Sequence, residues 1–126
     1  MQGDNYLYSR THEWVRVEGE KAYIGITDYA QHHLGDIVFV EMPELDVELK
    51  AGEQLAVIES VKTVETVFAP LSGKVIELNH SLEDSPELLN EAPFEQHIAV
   101  IAFSDGEELK NLLNAEAYAE LCKEEE

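Results

Sequence analysis

Between Gly52 and Gly73 the chain carries two β-prone arms, Leu55 to Ile58 and Val64 to Phe68, disposed almost symmetrically about Lys62. β-Branched and aromatic residues favour extended backbone, and a glycine beyond each arm supplies a turn. The pattern constrains the segment to an antiparallel hairpin with one lysine at its projecting tip. There a four-carbon stem can hold an amine, and anything attached to it, clear of the protein. The tip reads Glu59-Ser60-Val61-Lys62-Thr63-Val64. A hairpin tip is also served by a plain solvated charge, so local pattern leaves two readings of Lys62 open. It even leaves the turn unmarked: no Gly, Asn or Pro lies between Glu59 and Thr66, and propensity alone draws one unbroken strand through Lys62.

The rest of the chain is punctuated like a β protein. His12 to Val17 and Ala22 to Ile26 read as strands joined by Glu18-Gly19-Glu20-Lys21, with Gly19 taking the awkward backbone angle. Thr27 caps a short helix that ends at Leu34, with Asp28 in its first turn, His32 and His33 in its last, and Gly35 beyond. Asp36 to Met42 reads as a strand ended by Pro43, and Glu44 to Lys50 alternates, with Leu45, Val47 and Leu49 facing one way. Lys74 to Leu78 and the apolar run Ile98 to Phe103 are further strands. Ser85 to Asn90 reads as a helical turn or two, capped by Ser85 with Pro86 at the first helical position. Ser104-Asp105-Gly106-Glu107 matches a capping box opening a helix that turns Leu109, Leu112, Leu113, Ala117 and Leu121 toward the core. Without a linker-like shift in composition, residues 1–126 are expected to form a single β-dominated domain, its core at about 6–103 and a C-terminal helical segment at about 104–123.

Composition excludes several classes of function. Eight basic and 27 acidic side chains give a net charge of −19, which repels phosphate backbones and anionic lipid, so neither nucleic acid nor a membrane is an expected partner. Basic protein surfaces suit this field better. The same charge also serves plain solubility. Cys122 is the only cysteine, so no disulfide within the chain is possible, as fits a reducing compartment. The N-terminus shows no export or organelle address, and no apolar run could span a bilayer. A cytoplasmic location is the default, or the mitochondrial matrix if the source is eukaryotic.

Self-contained catalysis finds no support. Ser60 and Ser72 lack a recognisable nucleophile setting. His12, His32, His33, His80 and His97 are dispersed apart from one adjacent pair, and there is neither Cys-x-x-Cys nor His-Glu-x-x-His, so no metal site is expected. Trp14 reads as a core or rim aromatic.

Seven stretches in order carry a resemblance over nearly the whole chain. They are Thr11-His12-Glu13-Trp14-Val15, Gly25 to Gln31, Leu34-Gly35-Asp36, Val38-Phe39-Val40, Glu59-Ser60-Val61-Lys62, Ala69 to Gly73 and Leu82 to Leu88. With these the chain resembles the H protein of the glycine cleavage system, a lipoyl carrier. The resemblance implies a mainly β barrel-sandwich hybrid, two antiparallel sheets with approximate two-fold symmetry, and short helices with one at the C-terminus. It implies lipoic acid in amide linkage to Lys62, with Glu59 recognised during lipoylation. The partners implied are glycine decarboxylase, aminomethyltransferase, dihydrolipoyl dehydrogenase and a lipoate ligase or lipoyl/octanoyl transferase, acting on a monomeric carrier that is not itself an enzyme. Val61 and Thr63 stand where biotin carriers usually place methionines. Ordinary 2-oxoacid dehydrogenase lipoyl domains usually have aspartate before the lysine and lack the Thr-His-Glu-Trp strand.

By the same resemblance, Thr11, Glu13 and His33 line a cleft for the loaded arm. The family commonly carries aspartate four residues after the lysine; this chain has Thr66 there, beside Glu65, and Gln96-His97 replaces a common Gly-Trp. An acid shifted by one residue in a strand is expected on the opposite face. Two other readings stay open: a related lipoyl carrier of another pathway, such as one for sulfur intermediates, and an unlipoylated acidic interaction domain.

Overall fold

The computed structural model describes residues 6–103 and 105–125. Its strands form two antiparallel sheets. β1 (Tyr6–Tyr8), β2 (Glu13–Glu18), β3 (Lys21–Ile26), β9 (Ala99–Phe103), β8 (Gly73–Leu78) and β5 (Glu48–Leu49) lie in that order in the larger. The smaller has β4 (Ile37–Glu41), β6 (Gln54–Ser60) and β7 (Val64–Phe68), with β6 central. Among the described residues four α-helices accompany them, α1 (Asp28–Leu34), α2 (Ser81–Asp84), α3 (Leu88–Glu91) and α4 (Ala115–Glu125), together with one 3₁₀ helix. The core lies between the sheets, with Val15, Ile24, Val75 and Ile101 from one meeting Val40, Leu55, Ile58 and Val67 from the other. The mainly β, two-sheet architecture with short helices and a C-terminal helix is the expected one.

Local chemistry explains much of it. Gly19 takes φ 64° in the β2–β3 turn, as expected. The Thr27 hydroxyl accepts from the Ala30 N–H at 3.2 Å and so caps α1. The apolar run at β9 sits between β3 and β8, buried where an unbroken hydrophobic strand belongs.

Four expectations need correction. Of the alternating stretch Glu44 to Lys50 only Glu48–Leu49 is a strand, and Leu45 and Val47 are exposed, because Asp46 at φ 67° breaks the extended run. Gly52 has the positive φ that a turn requires, but Gly73 does not; it opens β8 where a Cβ would collide with the Ala102 carbonyl oxygen and Ile101 Cγ2 of β9. Ser85 makes no side-chain cap: its carbonyl accepts the Leu88 N–H at 3.1 Å, and α3 begins only at Leu88.

The C-terminal helix is also not continuous. Ser104 lies outside the described residues, and Asp105 caps a 3₁₀ helix at Gly106–Asn111. Leu113 then exchanges two backbone hydrogen bonds with Tyr8, at 2.7 and 2.8 Å, before Asn114 caps α4. Leu109 and Leu112 pack against the main core, whereas Leu113 and Leu121 join a second cluster around Tyr8, Trp14 and Tyr118, and Ala117 is exposed.

Candidate functional site

Lys62 occupies the turn between β6 and β7 and is exposed. The Ser60 N–H donates to the Thr63 carbonyl at 2.8 Å, leaving Val61 and Lys62 as a two-residue loop. Neither has a positive φ. In place of a turn glycine, the Ser60 hydroxyl accepts from the N–H groups of Lys62 (3.2 Å) and Thr63 (3.1 Å), a side-chain substitute for backbone turn bonds. The Val61 N–H donates to the Asp36 carbonyl at 2.9 Å and ties the tip to the segment before β4. The lysine stem runs past Gly35, where an added Cβ would lie 3.8 Å from Lys62 Cε. The tip is therefore anchored while the amine is free to carry a substituent.

Beside the hairpin lies a cleft of about 390 Å³. Thr11 borders it from the turn between β1 and β2, Glu13 from β2, His33 from α1, and Thr63, Glu65 and Thr66 from the hairpin. Ile58 pairs with Glu65 and Val57 with Thr66, so the two hairpin residues start on opposite faces, as alternation requires. Both nonetheless border the cleft, because β7 is an edge strand and the cleft runs alongside it.

Glu13 is 1% exposed. Its Oε1 takes hydrogen bonds from the hydroxyls of Ser9 and Thr11, and its Oε2 accepts the Phe68 N–H at 3.0 Å. A residue of β2 thus satisfies a backbone donor on the edge of β7 and ties the two sheets together. Burial pushes the Glu13 carboxyl above the usual carboxylate range, against the three hydrogen bonds and the nearby His12, which favour the charged form. A carboxylate has about four acceptor sites, and three donors leave it one.

Among the other residues that border the cleft, His12, Tyr29 and Glu125 carry polar groups that the sequence did not mark as part of a site. His12 has φ 73°, held by hydrogen bonds from its own N–H to Ser9 and from the Thr27 N–H to its carbonyl. Its ring stacks on Tyr29 at 4.5 Å, and its nitrogens lie 2.7 Å from the Tyr118 hydroxyl and 2.7 Å from Glu125. The last turn of α4 is thereby brought to the cleft mouth. Only the Thr11-His12-Glu13 stretch gave a signal; a contact spanning 113 residues has no local signature.

Gln96 and His97 lie away from this cleft. Asn79 donates to the Gln96 side chain at 3.1 Å and to the His97 carbonyl at 2.8 Å, and the His97 ring meets Tyr23 edge-on at 5.2 Å. The replacement of Gly-Trp is accommodated by packing on the larger sheet.

The sequence profile of the glycine cleavage H-protein family matches residues 6–125. The chain is 59% identical over 119 residues to the glycine cleavage system H protein of Syntrophomonas wolfei, covering 94% of this chain and 92% of that one. It is 53% identical over 119 residues to the H protein of Bacillus licheniformis, covering 94% of each. The crystal structure of a glycine cleavage system H protein from Mycobacterium marinum superposes with a TM-score of 0.82 at 31% identity, covering 94% of this chain and 97% of that one. Matched from β1 to the end of α4, in sequence and in fold, the chain belongs to the glycine cleavage H-protein family, whose members are lipoyl carriers.

Proposed function

We propose that Lys62 is the lipoyl attachment point. On it the chain carries an aminomethyl group and reducing equivalents between glycine decarboxylase, aminomethyltransferase and dihydrolipoyl dehydrogenase. A lipoate ligase or a lipoyl/octanoyl transferase loads the amine. Joined to Lys62 as an amide, lipoic acid supplies a dithiolane that accepts a group or electrons at one enzyme and yields them at another. The observation that carries the reading is the exposed Lys62 in an anchored two-residue loop beside a cleft of about 390 Å³.

The chain's own residues do the rest by position. The Ser60 turn and the Asp36 tie hold the lysine backbone fixed, so that motion belongs to the side chain and its substituent. A tether of this kind keeps the carried group at high effective concentration in a docked active site. Thr11, Glu13, His33, Glu65 and Thr66 form the wall against which the arm is sheltered, and its carboxylates favour a cationic cargo over an anionic one. Glu59 is a recognition residue for the acylating enzyme.

The net charge of −19 draws basic partner surfaces and repels nucleic acid and anionic membranes. Among the described residues no helix is long and apolar enough to cross a membrane. The relatives named are bacterial, which supports a cytoplasmic carrier acting as one monomeric domain without catalysis of its own.

Reconstitution tests the reading. The lipoylated chain should support glycine decarboxylation with partner enzymes from its own organism, and Lys62→Arg should abolish this while leaving the melting temperature unchanged. Activity retained by Lys62→Arg would refute it.

A further inference from the structure

Of the seven exposed large hydrophobic side chains among the described residues, four, Val38, Phe39, Val61 and Val64, surround the Lys62 tip. Scattered apolar residues on a surface need no explanation, but a group beside one reactive side chain does. Strand register gives this group an internal order. Phe39 lies directly across from Glu59, and Glu59 directly across from Val64. Directly opposed residues of antiparallel strands point to the same face with Cβ atoms about 5 Å apart. The outer face of the smaller sheet therefore presents a row of an aromatic ring, a carboxylate and an aliphatic group, three residues before Lys62. Phe39 is 48% and Val64 61% exposed, and the Glu59 carboxylate has no hydrogen-bond or ion-pair partner among the described residues.

From this row we infer, resting on the carrier reading, that Phe39, Glu59 and Val64 form a cradle for one arginine side chain of the enzyme that acylates Lys62. An unpaired carboxylate between two apolar groups suits a long side chain with an apolar stem and a planar cationic head. Arginine stacks on aromatic faces and pairs with carboxylate through two parallel hydrogen bonds, which the point charge of lysine cannot do. Docking would exclude water from the flanks of Glu59 and strengthen the ion pair. The charge of −19 favours a basic partner here as elsewhere. Because the row shares β6 and β7 with the Lys62 loop, gripping it sets where the amine sits.

The test uses the unmodified chain with the lipoate ligase of its own organism, reading Kd by calorimetry and KM for the chain in lipoylation. Glu59→Gln and Phe39→Ser should each raise Kd and KM about tenfold, equivalent to about 1.4 kcal/mol, with kcat and melting temperature little changed. The double variant should lose less than the product of the two, because both residues hold the same group. Leu45→Ser, exposed but remote from the row in the stretch before β5, should change neither constant. Unchanged constants for Phe39→Ser, or strictly multiplicative losses, would overturn the cradle while leaving lipoylation of Lys62 intact. Self-association of the chain that Phe39→Ser abolishes would assign the row to a second copy, and overturn it too. Failure of both the lipoate ligase and the lipoyl/octanoyl transferase of its own organism to acylate wild-type Lys62 would remove the carrier reading and the cradle together.

Discussion

Gly25→Ala tests how tightly the strand bearing Glu13 is packed. Gly25 lies directly across from Trp14 between β3 and β2, and a Cβ there would lie 2.6 Å from Trp14 Cε2 and Cζ2 and 2.7 Å from Nε1. Ordinary carbon contacts are about 3.5–4.0 Å, so the indole must retreat by about 1 Å. It has nowhere to go: Trp14 is fully buried, its Nε1–H donates to the Pro93 carbonyl at 2.8 Å, and the Tyr6 ring packs 5.1 Å away. Overpacking costs about 1–3 kcal/mol and the strained indole hydrogen bond about 1 kcal/mol. Replacing glycine in a strand returns about 0.5–1 kcal/mol. The net loss is about 2 kcal/mol, which lowers Tm by roughly 6–10 °C in a domain of this size. Urea unfolding followed by emission from Trp14, the single tryptophan, reads both stability and indole environment. Gly106→Ala is the control, since a Cβ there meets nothing within 4 Å. A change in stability within about 0.5 kcal/mol for Gly25→Ala, with unaltered emission, would refute the close-approach argument.

Three further outcomes follow from the same geometry. Glu13→Gln should become progressively more favourable relative to wild type as pH rises. The raised Glu13 carboxyl contributes fully below its ordinary value of 4.5 and loses that contribution as pH climbs through the folded-state value, whereas glutamine does not titrate. Urea unfolding at a series of pH values checks this, and a stability difference independent of pH would contradict it. Tyr8→Phe should raise stability by about 1 kcal/mol, because the buried Tyr8 hydroxyl has no partner among the described residues; thermal unfolding decides, and a loss would show a hidden partner. Gly73→Val should lower Tm through collision with Ala102 and Ile101 without impairing lipoylation of the folded chain in the cold; an unchanged Tm would reject the collision.

Legibility in the sequence followed the range of the forces involved. Thr27 and Gly35 at the ends of α1, and Gly19 between β2 and β3, act on neighbours within a few residues, and each could be read directly. The Lys62 turn depends on a serine hydroxyl in place of a turn glycine, a substitution that propensity does not register. The break between the 3₁₀ helix and α4 is set by a backbone bridge from Leu113 to Tyr8, so helical periodicity ran through it unseen. The cleft was legible only in pieces. Thr11, Glu13 and His33 entered through family resemblance, whereas His12, Tyr29 and Glu125 reach it through ring stacking and a contact from the far end of the chain. Glu65 shows the limit of a sound rule: alternation did place it opposite Thr66, but an edge strand exposes both faces to a cleft at its side.

The most direct test of the account is peptide-resolved mass analysis of the chain purified from its native organism during growth on glycine. A lipoyl-sized addition on the peptide containing Lys62, and on no other lysine, is the predicted result. An unmodified Lys62 under conditions in which the organism's other lipoyl proteins are fully loaded would contradict it.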